Sequence, residues 1–373
     1  MKRLFRNLFF YQRQPITGER SFGISSLCIF RTSINYKKFY EYFYLFGVRV
    51  YKRPILERLN KRCLSAIFKT WPGYDIYIPL ASGTGEVFIL LSQIKRIFRE
   101  RFKNKRIAFI CRNEKLVSLV QAFNPDADVF LNPDFTVLFL PAWKETSLGS
   151  VWNPLNAKYF SVTEQKIIRR ETTYFENLTK EIGPYSPSLL LHQLMDELKF
   201  HKTSRVFENF NFKNSIFLIP RAETLEDVSL KVWEEIVKKL TENGFTVYVN
   251  ATSTQDRIPN AIPLMLSFVD AIYFGSRCEG IIGMRCGLME IIFETSKLSC
   301  LAVYTNFGPA TQNRLSAKEA LFGFSMKHLP HNAHNDLVEV IYDGKKQILM
   351  SAVSSWASRI TVRRRYKVHQ IRR

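Results

Sequence analysis

The sequence is short of several things, and each shortage narrows what the chain can be. Its six cysteines, at 28, 63, 111, 278, 286 and 300, form no Cys-x-x-Cys pair and no regular spacing. That argues against a disulfide framework and a cysteine-based zinc site, and it fits a reducing compartment. No run approaches the ~18 consecutive apolar residues that a membrane-crossing helix needs. The apolar part of Met1 to Phe10 is too short for a signal-peptide core, and Arg13 soon follows. The expected location is the cytoplasm, with room for peripheral attachment at the inner face of the inner membrane. No segment of about 20–50 residues repeats, which argues against a solenoid. Acidic residues are scarce at both ends. Residues 1–70 hold three against fifteen Lys and Arg, and Ser354 to Arg373 hold none against seven.

What is there is enough for packed cores. Hydrophobic residues make up 46% of 373, and the formal net charge is +21. That length predicts about two domains. The charge sits at the ends and leaves the middle near neutral, so an anionic partner surface is expected, nucleic acid or acidic lipid headgroups. Tyr36 to Tyr51 (YKKFYEYFYLFGVRVY) crowds aromatics among Lys37, Lys38 and Arg49, with Lys52 and Arg53 next. Such a stretch suits a membrane interface, and it suits a protein core equally well. Ile55 to Lys69 reads as a helix after Pro54.

From Tyr74 onward strands and helices alternate. Predicted strands are Asp75 to Ala81, Arg106 to Cys111, Asp128 to Leu131 and Thr136 to Leu140, with helices over Glu86 to Phe102 and Glu114 to Phe123. Thr163 to Lys180 and Ser188 to Phe200 read as helical in a less regular section. The rhythm resumes with a strand at Ser215 to Pro220, a helix at Glu226 to Leu240, and a strand at Phe245 to Val249. A helix at Ile262 to Val269 and strands at Ala271 to Phe274 and Leu298 to Tyr304 follow. This alternation implies parallel sheets. The stretch Tyr273 to Glu294 reads as a strand end, turn-forming clusters at Gly275-Ser276 and Gly280 to Gly283, and a helix start beyond Arg285.

Three turns carry candidate chemistry. In Gly83-Thr84-Gly85-Glu86-Val87-Phe88 a phenylalanine fills the place of the third glycine of a dinucleotide fingerprint, which weakens a nicotinamide reading. Glu86, at a helix start after a parallel strand, can act as a general base or simply complement the helix N-terminus. In Pro220-Arg221-Ala222-Glu223-Thr224, Arg221 and the Thr224 hydroxyl can meet phosphate oxygens, and Thr224 also suits a helix N-cap. Arg285 would complete a two-arginine diphosphate clamp with Arg221. His328, His331 and His334 lie near Asp336, but Pro330 interrupts a helix that would align them for a metal. The one Asp-x-Asp, Asp126-Ala127-Asp128, precedes a predicted strand instead of following one.

On these residues the chain resembles GT-B type glycosyltransferases, most of all the lipopolysaccharide heptosyltransferase-like group. Gly85-Glu86 resembles that family's Gly-Asp. Ile219 to Thr224, with Trp233 and the Asn-Gly-Phe-Thr-Val strand, resembles its donor-domain opening. Ile282 to Leu288 resembles its Gly-Leu turn. The resemblance spans about residues 74–305. The chain departs from the pattern at Glu86 in place of Asp, at Arg285-Cys286 in place of Asp-Thr, and at Glu290 in place of a later His.

The resemblance implies an α/β fold of two tandem Rossmann-like domains facing a central cleft. Expected boundaries are a basic aromatic-rich extension (1–70), an acceptor domain (71–210), a nucleotide-sugar domain (211–345) and a basic C-terminal helix or tail (346–373). It implies metal-independent sugar transfer from a nucleotide-sugar donor to a lipopolysaccharide- or capsule-type glycan or glycolipid, with no separate cofactor. Glu86 would be the base. Arg221, Thr224, Gly283, Arg285, Gly287 and Glu290 would hold the donor, with Gly83, Thr84 and Gly85 on the acceptor side. Two alternatives stay open: a nucleic-acid binder using its basic ends, and a catalytically silent relative. No helix-turn-helix, zinc finger or RNP-like segment supports the former.

Overall fold

The computed structural model describes residues 9–13, 20–24, 27–35, 40–80, 83–124, 126–132, 140–182, 207, 210, 212–251, 257–296, 298–307, 315–329 and 336–371. The first region is an antiparallel meander: β1 (Phe9–Arg13), β2 (Arg20–Ile24), β3 (Leu27–Asn35), β4 (Tyr40–Leu45) and β5 (Val48–Pro54), paired in that order. The aromatic stretch is therefore mainly a hairpin. Helix α1 (Leu56–Thr70) follows, as expected.

The second sheet runs β8-β7-β6-β10-β9. It contains β6 (Ile76–Leu80), β7 (Ile107–Cys111), β8 (Asp128–Leu131), β9 (Trp143–Thr146) and β10 (Gly149–Trp152). All pairings are parallel except β9 with β10. Between β6 and β7 lie α2 (Thr84–Ser92) and α3 (Ile94–Arg101), and α4 (Glu114–Phe123) follows β7. The single helix expected over 86–102 is thus two, separated at Gln93. Similarly, α5 (Ala157–Ile168) and α6 (Tyr174–Ile182) replace the single helix expected over 163–180. Positive φ at Arg170 marks the break.

The third sheet is wholly parallel, in the order β13-β12-β11-β14-β15-β16. Its strands are β11 (Ser215–Ile219), β12 (Thr246–Asn250), β13 (Ile262–Leu264), β14 (Gly280–Met284), β15 (Ser299–Tyr304) and β16 (Asp336–Ile341). Runs such as SIFLI and SCLAVY are buried along their whole length, as strands covered on both faces should be. Helix α7 (Leu230–Glu242) buries Val232, Trp233, Ile236, Val237 and Leu240 on one side. Gly244, at φ 78°, then reverses the chain.

Here the sequence expectation is corrected. Ile262–Leu264 is a strand, and Phe268–Arg277 is a helix, α8, so 262–269 and 271–274 exchange types. The Gly275-Ser276 pair lies inside α8, and Gly280 to Gly283 is strand β14 instead of a turn. A Cβ on Gly280 would press on Trp356, and one on Gly283 would collide with the Ile219 carbonyl. Those glycines admit close neighbours instead of turning the chain.

Helices α9 (Gly287–Thr295), α10 (Ala317–Phe324) and α11 (Lys346–Ile371) complete the order. Leu349, Val353, Trp356, Ala357 and Ile360 bury one stripe of α11 against the third sheet. The expected elements at 136–139 and 188–200 lie outside the described residues, as do His331 and His334. One apolar cluster runs from Ile78 and Leu80 through Val87 and Leu91 of α2 to Met289 and Ile292 of α9 and Phe217 of β11. The two parallel sheets are joined through this cluster, which gives the tandem α/β architecture expected above. No helix among the described residues is long and apolar enough to cross a membrane.

Candidate functional site

A doubly wound sheet places ligands beyond the carboxyl ends of its strands, where the strand order reverses. In the third sheet that point lies between β11 and β14, which are direct neighbours. The residue after β14 is Arg285, and two residues after β11 comes Arg221. In the second sheet the reversal lies between β6 and β10, and the chain leaving β6 enters α2 through Gly83. The switch point of the second sheet thus carries one of the expected turns and that of the third carries two, of which the Arg285 turn leads into α9.

The two turns meet. The first turns of α2 and α9 pack glycine on glycine, without space for a methyl group. A Cβ on Gly287 would strike the Thr84 hydroxyl and the Gly85 backbone, and one on Gly85 would fall on Glu290 Oε2. Thr84, Gly85, Gly287 and Glu290 are therefore brought together. Gly83 and Glu86 stand at the rim, with Gly83 exposed and Glu86 half-buried. The Glu86 carboxylate folds back toward Gly83, at the N-terminus of its own helix. Opposite charge favours that place.

Arg285 is 8% exposed and Glu290 3%. They form an ion pair between the Arg285 guanidinium and Glu290 Oε1. Arg285 Nε has no hydrogen-bond partner among the described residues. Burial pushes the Glu290 carboxyl up to about 7, the Arg285 charge pulls it back, and the Glu86 carboxylate adds to the rise. For Arg285, burial works against the charged form, but Glu290, Tyr304 and Glu86 outweigh it and hold the guanidinium above its usual value. At the α9 N-cap, burial pushes the Cys286 thiol up to about 11, so it is no thiolate at neutral pH.

An aromatic wall covers the pair. The Phe324 ring lies 4.7 Å from the Arg285 guanidinium carbon, close enough for a cation–π contact. Tyr174 stacks on Phe324 at 5.0 Å. The turn after Phe324 is fixed by Glu339 of β16, which accepts from the Met326 N–H at 2.8 Å and the Ser325 hydroxyl at 2.7 Å. The Tyr304 hydroxyl lies 2.6 Å from Glu339. The Tyr174 hydroxyl is buried without a hydrogen-bond partner among the described residues. Burial raises its pKa well above the usual tyrosine value, with Glu86 and Glu290 adding to the rise. None of Tyr174, Tyr304, Phe324 or Glu339 was singled out from the sequence. They reach Arg285 through tertiary packing and have no local motif.

Other expected residues stand apart from the pair. Arg221 and Thr224 are exposed on the loop after β11. Thr224 is not the α7 N-cap. That position is Ser229, so the helix starts four residues later than expected. Gly283 is buried in β14, where its backbone faces Ile219, and it serves strand packing. At the rim Lys115 of α4 reaches Glu223 at 3.2 Å, a link between the two halves. Exposed pairs of this kind contribute little. Asp336 accepts from Ser299 at 2.9 Å and pairs with Arg359 at 3.1 Å, so its carboxylate serves packing of α11. Among the described residues, no three His, Cys, Asp or Glu are grouped to hold a metal ion.

No protein-family model matches this sequence, and no curated protein matches it significantly. Solved structures do. A glycosyl transferase family 9 protein from Veillonella parvula matches at 11% identity, over 77% of this chain and 98% of that one, with TM-score 0.39. The E. coli heptosyltransferase WaaC with ADP matches at 11% identity, over 76% and 99%, with TM-score 0.39. The iron-containing dodecameric glycosyltransferase TibC from enterotoxigenic E. coli matches at 9% identity, over 93% and 86%, with TM-score 0.41. Each of these three solved proteins is a glycosyltransferase.

Proposed function

We propose that this chain is a glycosyltransferase that moves a sugar from a nucleotide-sugar donor to a glycan or glycolipid acceptor. The observation that carries the reading is Arg285. It is a buried guanidinium at the switch point of a doubly wound sheet, with Nε uncommitted among the described residues, and it is paired with Glu290, which meets the helix start that bears Glu86. Phosphate oxygens suit such a donor next to a helix N-terminus.

In the proposed step the acceptor hydroxyl gives its proton to Glu86. Its oxygen bonds to the anomeric carbon as the bond to the donor diphosphate breaks. The nucleoside diphosphate leaves with that electron pair, and Arg285 offsets its growing charge. The amides at the start of α9, near Gly287, add donors. Arg221 and Thr224, on the exposed loop after β11, would meet the outer phosphate or the nucleoside. Glu290 positions Arg285 through their ion pair. Charge is offset by side chains without an obligatory metal, no separate cofactor takes part, and the acceptor is held at an anionic membrane surface on the cytoplasmic side.

The test is a thermal-shift series with UDP, GDP, ADP, CMP and NAD against wild type and Arg285→Ala. A ligand that binds only the native state raises the melting temperature by mass action. Stabilisation by one nucleoside diphosphate, lost in the variant, is the expected result. A response to NAD alone, or to none, overturns the reading.

The Arg285–Glu290 pair also favours a second reading, a scaffold without transfer activity, because the pair already neutralises the arginine. Diphosphate binding with no transfer to any acceptor would select it.

A further inference from the structure

The β4–β5 hairpin breaks a rule of turn chemistry at its apex. Leu45 pairs with Val48, so the loop is the two residues Phe46 and Gly47. Both have positive φ, 47° and 79°. A two-residue turn of that kind strongly favours Asn or Asp followed by Gly, because a bulky side chain is strained at the first position. Here a phenylalanine occupies it and is 60% exposed. No packing among the described residues explains the choice. A Cβ built on the adjacent Gly47 would meet nothing within 4 Å. Strain held at an exposed position, where a smaller residue would turn the chain more easily, points to a use for the ring.

The surroundings indicate what the ring meets. Leu45, Val48, Val50 and Tyr51 are exposed beside it. Around this apolar tip stand exposed Arg49 and Lys52, which lie over the Tyr42 and Tyr40 rings at 5.4 and 5.3 Å. The one acid of the hairpin, Glu41, is buried and neutralised by Arg53 and Arg58 at 2.7 and 2.9 Å. From the apex inward the hairpin presents apolar side chains, then tyrosines interleaved with positive charge, Tyr44 opposite Arg49 and Tyr42 opposite Lys52. That order matches an anionic bilayer, with acyl chains below an interface that holds the headgroups. A second copy of the chain is a poorer match. Edge strand β5 carries Arg49, Lys52 and Arg53 and ends at Pro54, features that discourage strand pairing.

We propose that the Leu45–Tyr51 tip inserts into an anionic lipid surface, with Phe46 as its deepest residue. This names the surface by which the proposed transferase would approach a membrane-held acceptor. Its purpose rests on that reading, but its test does not.

The test is co-sedimentation of the full chain with phosphatidylcholine vesicles, with and without phosphatidylglycerol. Wild type should bind the anionic vesicles, less so as salt rises. Phe46→Asn should weaken partitioning roughly tenfold, the loss expected for one buried aromatic side chain. Because it relieves the turn, it should also leave the melting temperature unchanged or higher. Arg49→Gln and Lys52→Gln should each cost about fivefold. A Phe46→Trp variant should shift its emission to the blue on vesicles.

Phe46→Asn that binds like wild type, or Phe46→Trp emission unchanged on vesicles, overturns the proposal. So does binding to neutral and anionic vesicles alike, or self-association that Phe46→Asn abolishes without vesicles. Vesicle binding does not depend on nucleotide. A failure here leaves the diphosphate result standing, and a missing diphosphate response leaves this one standing.

Discussion

The two switch points use one backbone device to opposite ends. At each, a parallel strand leads through a short turn into a helix with a glycine in its first turn. The α2 side carries a carboxylate, Glu86, half-exposed at the rim. The α9 side carries a guanidinium, Arg285, sealed beneath Phe324 and tied to Glu290. A group that must exchange a proton with a substrate gains from contact with water. A group that must offset charge gains from a dry setting, where its field is less screened. On the proposed function, the contrast would suit the two turns to different tasks although their geometry is alike.

Arg285→Ala should disturb that contrast most. It leaves the Glu290 carboxyl buried without its partner, at about 3–5 kcal/mol above the pH at which that carboxyl ionises, by analogy with other broken buried pairs. Chemical denaturation should show this loss alongside loss of diphosphate binding. The double variant with Glu290→Gln should recover most of the stability and none of the binding. Recovery of both would mean that Arg285 serves packing alone.

Glu86→Gln tests the other side. It should leave the melting temperature unchanged and lower the transfer rate by about 100- to 10,000-fold, the usual range for a general base. Full transfer activity in that variant would remove the base assignment and leave the fold untouched.

The third effect is on pH. The folded-state pKa of Glu290, about 7, lies above its ordinary 4.5. Its contribution to stability is therefore present below about pH 4.5 and lost as pH rises through about 7. Melting curves across this window should show the decline, and Glu290→Gln should flatten it. The smallest effect expected is from Tyr174→Phe. Removing a buried hydroxyl that lacks a partner among the described residues should change stability by no more than about 0.5 kcal/mol, in the stabilising direction.

The sequence showed the α/β rhythm best where strands are covered on both faces. Ile76–Leu80, Ile107–Cys111, Ser215–Ile219 and Ser299–Tyr304 are short apolar runs with clear ends. It misled at 262–277. There Ile272, Tyr273 and Phe274 have strand propensity but lie buried in α8. Tertiary packing overrode the local preference. A signal was present: Ser267 caps the helix by accepting from the Asp270 N–H at 3.2 Å, a Ser-x-x-Asp start. The candidate site was half legible. Glu86, Gly85, Arg285 and Gly287 follow their strands within a few residues, as switch-point residues must. Tyr174 and Phe324 come from distant helices and leave no spacing to read.

The glycine contact between α2 and α9 also bears on how the molecule melts. The apolar cluster passes through that contact from one sheet to the other, so neither half can unfold without hydrating the face of its neighbour. The parallel α/β body should therefore lose its structure in a single calorimetric transition. Hinge motion at that contact would expose apolar surface, giving donor binding that requires it a temperature-dependent enthalpy.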